Sequence, residues 1–156
     1  MGLDMYLNAK RYISKHFNEG DGELAEAIAE HFPELAGRKG RFGDRSCVQE
    51  VRIDVGYWRK ANAIHKWFVD NVQDGTDDCG SYYVSREQLE ELKKLCEQVI
   101  QFRHLATDKL PPAAGFFFGS DKVDDYYFDD LANTVATIDS CLELPNAWEF
   151  EYHSSW

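Results

Sequence analysis

The sequence predicts an α+β domain with a small, mainly antiparallel sheet packed with about four helices. Three observations carry this expectation. Apolar residues alternate with period two in three separated places, near residues 2–8, 47–56 and 147–153. Helical periodicity fills much of the chain between them. Clusters of glycine, proline and aspartate punctuate the changes of period, and no repeat or linker-like stretch interrupts them, so residues 1–156 are expected to form a single domain.

Taken in order, Leu3, Met5 and Leu7 alternate with Asp4, Tyr6 and Asn8, as in a strand with one buried face. Asp21 is placed to cap a short helix whose Leu24, Ala27, Ile28 and Phe32 share a face, with Pro33 after its end. Val51, Ile53 and Val55 alternate with Arg52 and Asp54, and Gly56 is expected to close that strand. From Tyr57 or Trp58 to Val72 the period is helical, with Trp58, Ala61, Ile64, His65, Phe68 and Val72 on one side. A loop follows from Asp74 to Gly80. Ser85 and Gln88 form a capping box ahead of Leu89, Leu92, Leu95, Cys96, Val99 and Phe102. After the breaks at Pro111-Pro112 and Gly115, a helix capped near Ser120 or Asp121 should bury Tyr127, Leu131, Val135, Ile138 and Leu142, and Pro145 should end it. Aspartates in its first turns suit the helix dipole. Trp148, Phe150 and Tyr152 alternate with Glu149, Glu151 and His153 in the last strand. The terminal strands are expected to join the sheet, so trimming either end should unfold the protein.

Composition narrows the function classes. With 44% apolar residues, a chain of 156 residues can build a core without a disulfide or metal. Cys47, Cys79, Cys96 and Cys141 form no C-x-x-C pair and read as reduced, mostly buried thiols of a cytoplasmic protein. The opening Met-Gly-Leu-Asp-Met-Tyr lacks the plan of a secretory signal, and Tyr6 stands where a myristoylation motif has Ser or Thr. No apolar run is long enough to cross a membrane. The net charge of -11 disfavours direct binding to nucleic acid. Residues 1–60 hold ten basic and ten acidic side chains, so the whole excess of negative charge falls in residues 61–156.

Against that background, Tyr57-Trp-Arg-Lys-Ala-Asn-Ala-Ile-His-Lys-Trp-Phe68 interleaves cations, an amide and an imidazole with flat rings. Phosphates favour Arg, Lys and helix N-terminal amides, and bases favour stacking partners. Arg59, Asn62 and Lys66 would form one stripe on the expected helix, with His65 at its border; the alternative is a solvated surface helix with its rings in the core. The expected roles are phosphate and ribose contacts for Arg59, Asn62 and Lys66, base stacking for Tyr57 and Trp58, and a hydrogen bond from His65. Arg45 is a further phosphate candidate. The glycines and cations of Gly37–Gly43 could cradle an anion but lack the ending of a P-loop, and a surface loop is the plainer reading. The aspartates at 121–130 do not have EF-hand spacing, and His16, His31, His65, His104 and His153 match no zinc motif, so no metal or cofactor is expected. The acidic helix start at Asp121, Asp124, Asp125, Asp129 and Asp130 is read as a solvated face, and so is the acidic surface at Asp70, Asp74, Asp77 and Asp78.

Gly2-Leu-Asp-Met-Tyr-Leu7, the run Tyr57 to Phe68, Asp78-Cys79, Phe116-Phe-Phe-Gly-Ser120 and the closing Ser154-Ser-Trp156 together resemble a group of short phage and prophage proteins, over nearly the whole length. The first of these motifs adds Asp4 and Tyr6 to the candidate ligand contacts. The resemblance implies a small cytoplasmic protein of an infected bacterium. Some such accessory proteins bind and hide nucleotide signals of host antiviral defence, of the cyclic ADP-ribose or cyclic dinucleotide type. The leading expectation is therefore a nucleotide-sequestering homo-oligomer without catalysis. Two alternatives stand beside it: a hydrolase that cleaves such a nucleotide through a histidine and a nearby aspartate, and an acidic inhibitor that docks on a host protein.

Overall fold

Leu3, Met5, Leu7 and Ala9, on one side of the first strand, are all completely buried. That burial organises the α+β fold of the computed structural model, in which residues 2–14, 19–32, 34, 48–113 and 120–156 are described. The Gly37–Gly43 loop, Arg45, Cys47, His16, Pro33 and the Phe116–Phe118 run lie outside the described residues. The strands are β1 (Asp4–Tyr12), β2 (Glu50–Arg59), β3 (Ser81–Val84) and β4 (Glu149–Ser155). The helices are α1 (Asp21–His31), α2 (Asn62–Asn71), α3 (Arg86–Gln101), the short α4 (Ala106–Lys109) and α5 (Asp125–Glu143). The strands form one antiparallel sheet in the order β2-β1-β4-β3.

Several elements depart from the sequence reading. The expected helix from residue 57 begins later: Tyr57, Trp58 and Arg59 complete β2, and α2 starts at Asn62. The reversal falls at Lys60, whose φ of 60° lies in the left-handed region and whose N–H donates to the Leu3 carbonyl at 2.8 Å. The helical period extended too far because Trp58 is an inward residue of a strand, and an inward strand residue just ahead of a helix can fall on the helix's own repeat. Gly56 accordingly lies inside β2 and does not close it. The second departure is β3, which was not expected. Its four residues are too short to display a period, although Tyr82, Tyr83 and Val84 have strand-forming side chains. It pairs antiparallel with β4, setting Tyr82 opposite Tyr152 and Val84 opposite Phe150.

The chain divides into two compact units, Met1–Ala9 with Ile53–Trp156, and Lys10–Arg52. In the first, α3 presents Leu89, Leu92, Cys96 and Val99 to the core, while Leu95 of the expected face is half-buried and Phe102, just past the helix, is exposed; the Ser85–Gln88 capping box is formed in both directions. Helix α5 is capped by Asp124, which accepts from the Tyr127 N–H at 3.2 Å, a few residues later than expected. It buries Tyr127, Leu131, Thr134, Ile138 and Cys141, while Val135 and Leu142 stay half-buried. Burial pushes the Cys96 thiol up to about 12 and the Cys141 thiol up to about 11, so both behave as small apolar groups. Among the described residues no helix is long and apolar enough to cross a membrane.

In the second unit, Gly20 takes a φ of 82° that an L side chain rarely adopts, and α1 follows. Asp21 does not cap the helix; its carboxylate is completely buried and accepts from the Arg11 guanidinium and from the Ser14 N–H at 2.8 Å. Ala25, one turn on, shares that inward face, and the expected apolar face is largely outward, with Leu24 and Phe32 exposed. The buried carboxylate, rather than apolar pattern, sets the rotation of this helix.

Two substitutions test the packing of the first unit. A Cβ on Gly56 would meet Thr137 Cγ2 at 2.6 Å and Trp58 Cη2 at 3.0 Å, so Gly56→Ala should destabilise by about 1–3 kcal/mol, read as a lower urea midpoint. Arg86 donates to the carbonyls of Leu142 (3.2 Å), Leu144 (2.7 Å) and Pro145 (2.9 Å), closing the C-terminus of α5. Lysine keeps the charge but not the fork, so Arg86→Lys should lose about 1–2 kcal/mol; an unchanged melting temperature would refute this role.

Candidate functional site

The residues singled out in the sequence fall in separate places. Trp58 belongs to the core: it is 2% exposed, and its indole N–H donates to Thr134 Oγ1 at 2.9 Å. It is not free to stack on a ligand base. Tyr57, its neighbour on the strand, points to the other face of the sheet. There its hydroxyl donates to Asp4 at 2.5 Å and its ring lies 5.4 Å from Tyr6, which stacks on His153 at 5.0 Å. The hydrogen bond to the Asp4 carboxylate holds the Tyr57 phenol above its ordinary range, because ionising the phenol would forfeit that bond and place two negative charges together.

His65 is also not a border residue. Its ring is 1% exposed, and both nitrogens are engaged: with Tyr152 Oη at 2.7 Å and Asp77 Oδ2 at 3.1 Å. A carboxylate oxygen accepts, so the Nε2–H donates to Asp77 and Nδ1 is held by the tyrosine hydroxyl. Trp156 Nε1 donates to the second Asp77 oxygen at 3.1 Å. The Asp–His pair that a hydrolase would need is thus present. Yet neither nitrogen is left to face a substrate, and the Tyr152 hydroxyl beyond it is completely buried, stacked ring on ring with Phe68 at 3.9 Å. Burial raises the Tyr152 phenol well above its ordinary range, opposite to what a nucleophile requires. This chain of hydrogen bonds joins α2, the Asp77 loop and β4. Lys66 lies one residue on, pairs with Asp70 at 2.5 Å, and lines a shallow recess with His65, Asp77, Pro112 and Ala113. It does not share a stripe with Arg59.

Arg59 and Asn62 instead meet at a different cavity, of about 310 Å³, where β2 hands over to α2. Its wall is completed by Lys60, Lys122, Tyr126, Asp124, Asp129 and Asp130, with the first turn of α2 at its back. Among the described residues, Arg59, Lys60 and Lys122 form no ion pair with a carboxylate. No side chain caps α2; its Asn62 N–H donates to the Lys60 carbonyl at 2.8 Å, and Ala63 and Ile64, which follow at the positive end of the helix dipole, line the wall. Tyr126 is 80% exposed and offers a flat ring at the rim.

Asn62 has a scaffold role. It is 4% exposed, donates from Nδ2 to the Ser120 carbonyl at 2.6 Å, and accepts at Oδ1 from the Ala113 N–H at 3.2 Å. The amide therefore pins the approach to α5 against the start of α2 and brings Lys122 beside Arg59 and Lys60. Sequence reasoning missed Lys60, Lys122, Tyr126 and Asp130 as a group. The available signal was Lys122, a lone cation in the aspartate-rich run before α5, but nothing in the spacing shows that this run folds back onto residue 59. Asp130, expected on a solvated face, is half-buried; burial first, then Asp129 and Asp124, push its carboxyl up to about 6.

Among the described residues no three His, Cys, Asp or Glu side chains are placed to hold a metal ion. No protein-family model, curated protein or solved structure matches the chain.

Asn62→Leu, close in volume, removes both hydrogen bonds and leaves the Ser120 carbonyl and Ala113 N–H without this partner. We expect a loss of about 1–3 kcal/mol for each group left unsatisfied, measured by urea unfolding. Wild-type stability in that variant would show that the amide does not hold the cavity together.

Proposed function

We propose that the protein binds a small nucleotide in the cavity at the β2–α2 junction and holds it without chemistry. The observation that carries this reading is the gathering of Arg59, Lys60 and Lys122, none ion-paired among the described residues, in a chain of net charge -11. An anionic occupant would give these three cations a shared partner, and the positive end of the α2 dipole would add to the attraction. The exposed Tyr126 ring gives a base a stacking surface. The volume lies at the small end of the range for ligand sites, about 300–1,000 Å³.

In the phage setting that the sequence resemblance implies, the nucleotide would be a host-defence signal, captured in the bacterial cytoplasm. A second copy of the chain closing over the cavity would retain it more firmly, which is the reason for expecting a homo-oligomer. The acidic-inhibitor reading has less support. Lys93 and Lys94 interleave with the glutamates of α3, and Lys93 pairs with Asp139 at 2.5 Å and Glu97 at 3.7 Å, so these helices do not present continuous negative charge.

The test is capture. Purified protein is incubated with cyclic and ADP-ribose-type nucleotides, washed, denatured by heat, and the released material is identified by mass spectrometry. The reading expects intact nucleotide from the wild type. Arg59→Ala, at an exposed position, should reduce capture at least about tenfold, the worth of a charge-assisted hydrogen bond, with a stability change within about 0.5 kcal/mol. Recovery of a cleaved nucleotide would replace sequestration with hydrolysis; no capture of any nucleotide would reject the site.

A further inference from the structure

The cavity at the β2–α2 junction has two polarities, segregated by element. Arg59 and Lys60 come from the strand–helix junction and Lys122 from the approach to α5, whereas Asp124, Asp129 and Asp130 come from the start of α5 itself. The two groups do not neutralise each other. Among the described residues no ion pair joins them. The raised Asp130 carboxyl has the same origin: burial and two neighbouring aspartates act on it, and no cation pulls it back. Asp124 is committed to capping α5 through the Tyr127 N–H, so Asp129 and Asp130 are the carboxylates left to meet a ligand.

A bare phosphate would satisfy the cations and be repelled by the aspartates. A dicarboxylate would fare no better. A molecule suited to both ends carries an anion at one end and hydroxyl donors at the other. The sugar phosphate of a ribonucleotide has this form, because vicinal hydroxyls donate to a carboxylate while the phosphate reaches the cations. We propose that Asp130, with Asp129 beside it, accepts hydrogen bonds from the ribose hydroxyls and makes the site selective for ribonucleotides over their 2′-deoxy counterparts. This inference rests on the nucleotide reading of the cavity and specifies which nucleotides it takes.

The pH dependence distinguishes this from simple anion binding. A hydroxyl donating to Asp130 favours the ionised carboxylate, so the ribose preference should be full above pH 6 and shrink as the pH falls through the free carboxyl's value of about 6. The other ionisable groups on the wall are Arg59, Lys60, Lys122, Asp124, Asp129, Tyr126 and Tyr127. The phosphate of the ligand also titrates near pH 6, but identically in the ribo and deoxy forms, so it cancels from their ratio.

The experiment is a calorimetric titration of the full chain with the four ribonucleoside 5′-monophosphates, their 2′-deoxy forms and inorganic phosphate, at pH 7.5 and pH 5. The wild type should prefer a ribonucleotide to its deoxy form by about tenfold or more at the higher pH, the worth of a hydrogen bond to a charged group. Asp130→Asn should bring that ratio close to one while retaining deoxynucleotide binding, and Arg59→Ala should weaken both forms alike. Equal binding of ribo and deoxy forms by the wild type, sensitive to Arg59→Ala, overturns the ribose assignment and leaves the nucleotide site standing. Binding of phosphate alone, or of nothing, overturns both. The wild-type ratio decides the matter even if Asp130→Asn does not fold.

Discussion

The burial of α2 is the constraint on which the rest of the first unit depends. Six of its ten residues are buried, including the polar Asn62 and His65, so the helix cannot be placed unless those two are satisfied inside the protein. Each is satisfied by a different part of the chain. His65 reaches the Tyr152 hydroxyl and Asp77, tying the helix to β4 and to the loop before β3. Asn62 reaches Ser120 and Ala113, tying its first turn to the approach to α5. Ile64 and Phe68 hold the helix by packing, Phe68 stacked on the Tyr152 ring at 3.9 Å. The directional bonds of Asn62 and His65 fix its position, and with it the position of the cavity.

The same constraint accounts for the division of labour among residues that look alike in sequence. Polar side chains buried within the unit act as struts, and those at its edge remain available. Asn62 and His65 belong to the first class; Arg59, Lys60 and Lys122 belong to the second. Trp58 and Tyr57 divide in the same way across one strand, the first inward to Thr134 and the second outward to Asp4. Left-handed Lys60 marks the switch between strand and helix, and such strained positions are often found at ligand sites.

Much of the fold was legible. The alternation of Leu3, Met5 and Leu7, the capping box at Ser85 and the Phe150–Tyr152 strand are local signals, and each appears in the fold. The start of α2 was not, because Trp58 fits a helical repeat as well as a strand face. Strand β3 was too short to show a period. The rotation of α1 depended on Asp21 finding Arg11, a long-range pairing that an apolar pattern cannot reveal. Legibility of the site was poorer still. Arg59 and Asn62 meet at one cavity, but His65 and Lys66 lie at another recess, Tyr57, Asp4 and Tyr6 lie on a sheet face, and Arg45 is outside the described residues. Sequence shows which side chains carry chemistry. It does not show that a run near residue 122 returns to residue 59, since the Asn62 amide makes its bonds to Ser120 and Ala113 across 58 and 51 positions of the chain.

Chemical-shift mapping would test most directly that this junction is where a ligand is held. Backbone amides of the labelled protein would be followed during titration with the ribonucleoside monophosphates. The largest shifts should cluster at Lys60–Ile64, Lys122 and Asp129–Leu131. Shifts centred on Lys66–Asp70 and Asp77, on Tyr6 and Tyr57, or nowhere at saturating nucleotide would contradict that placement.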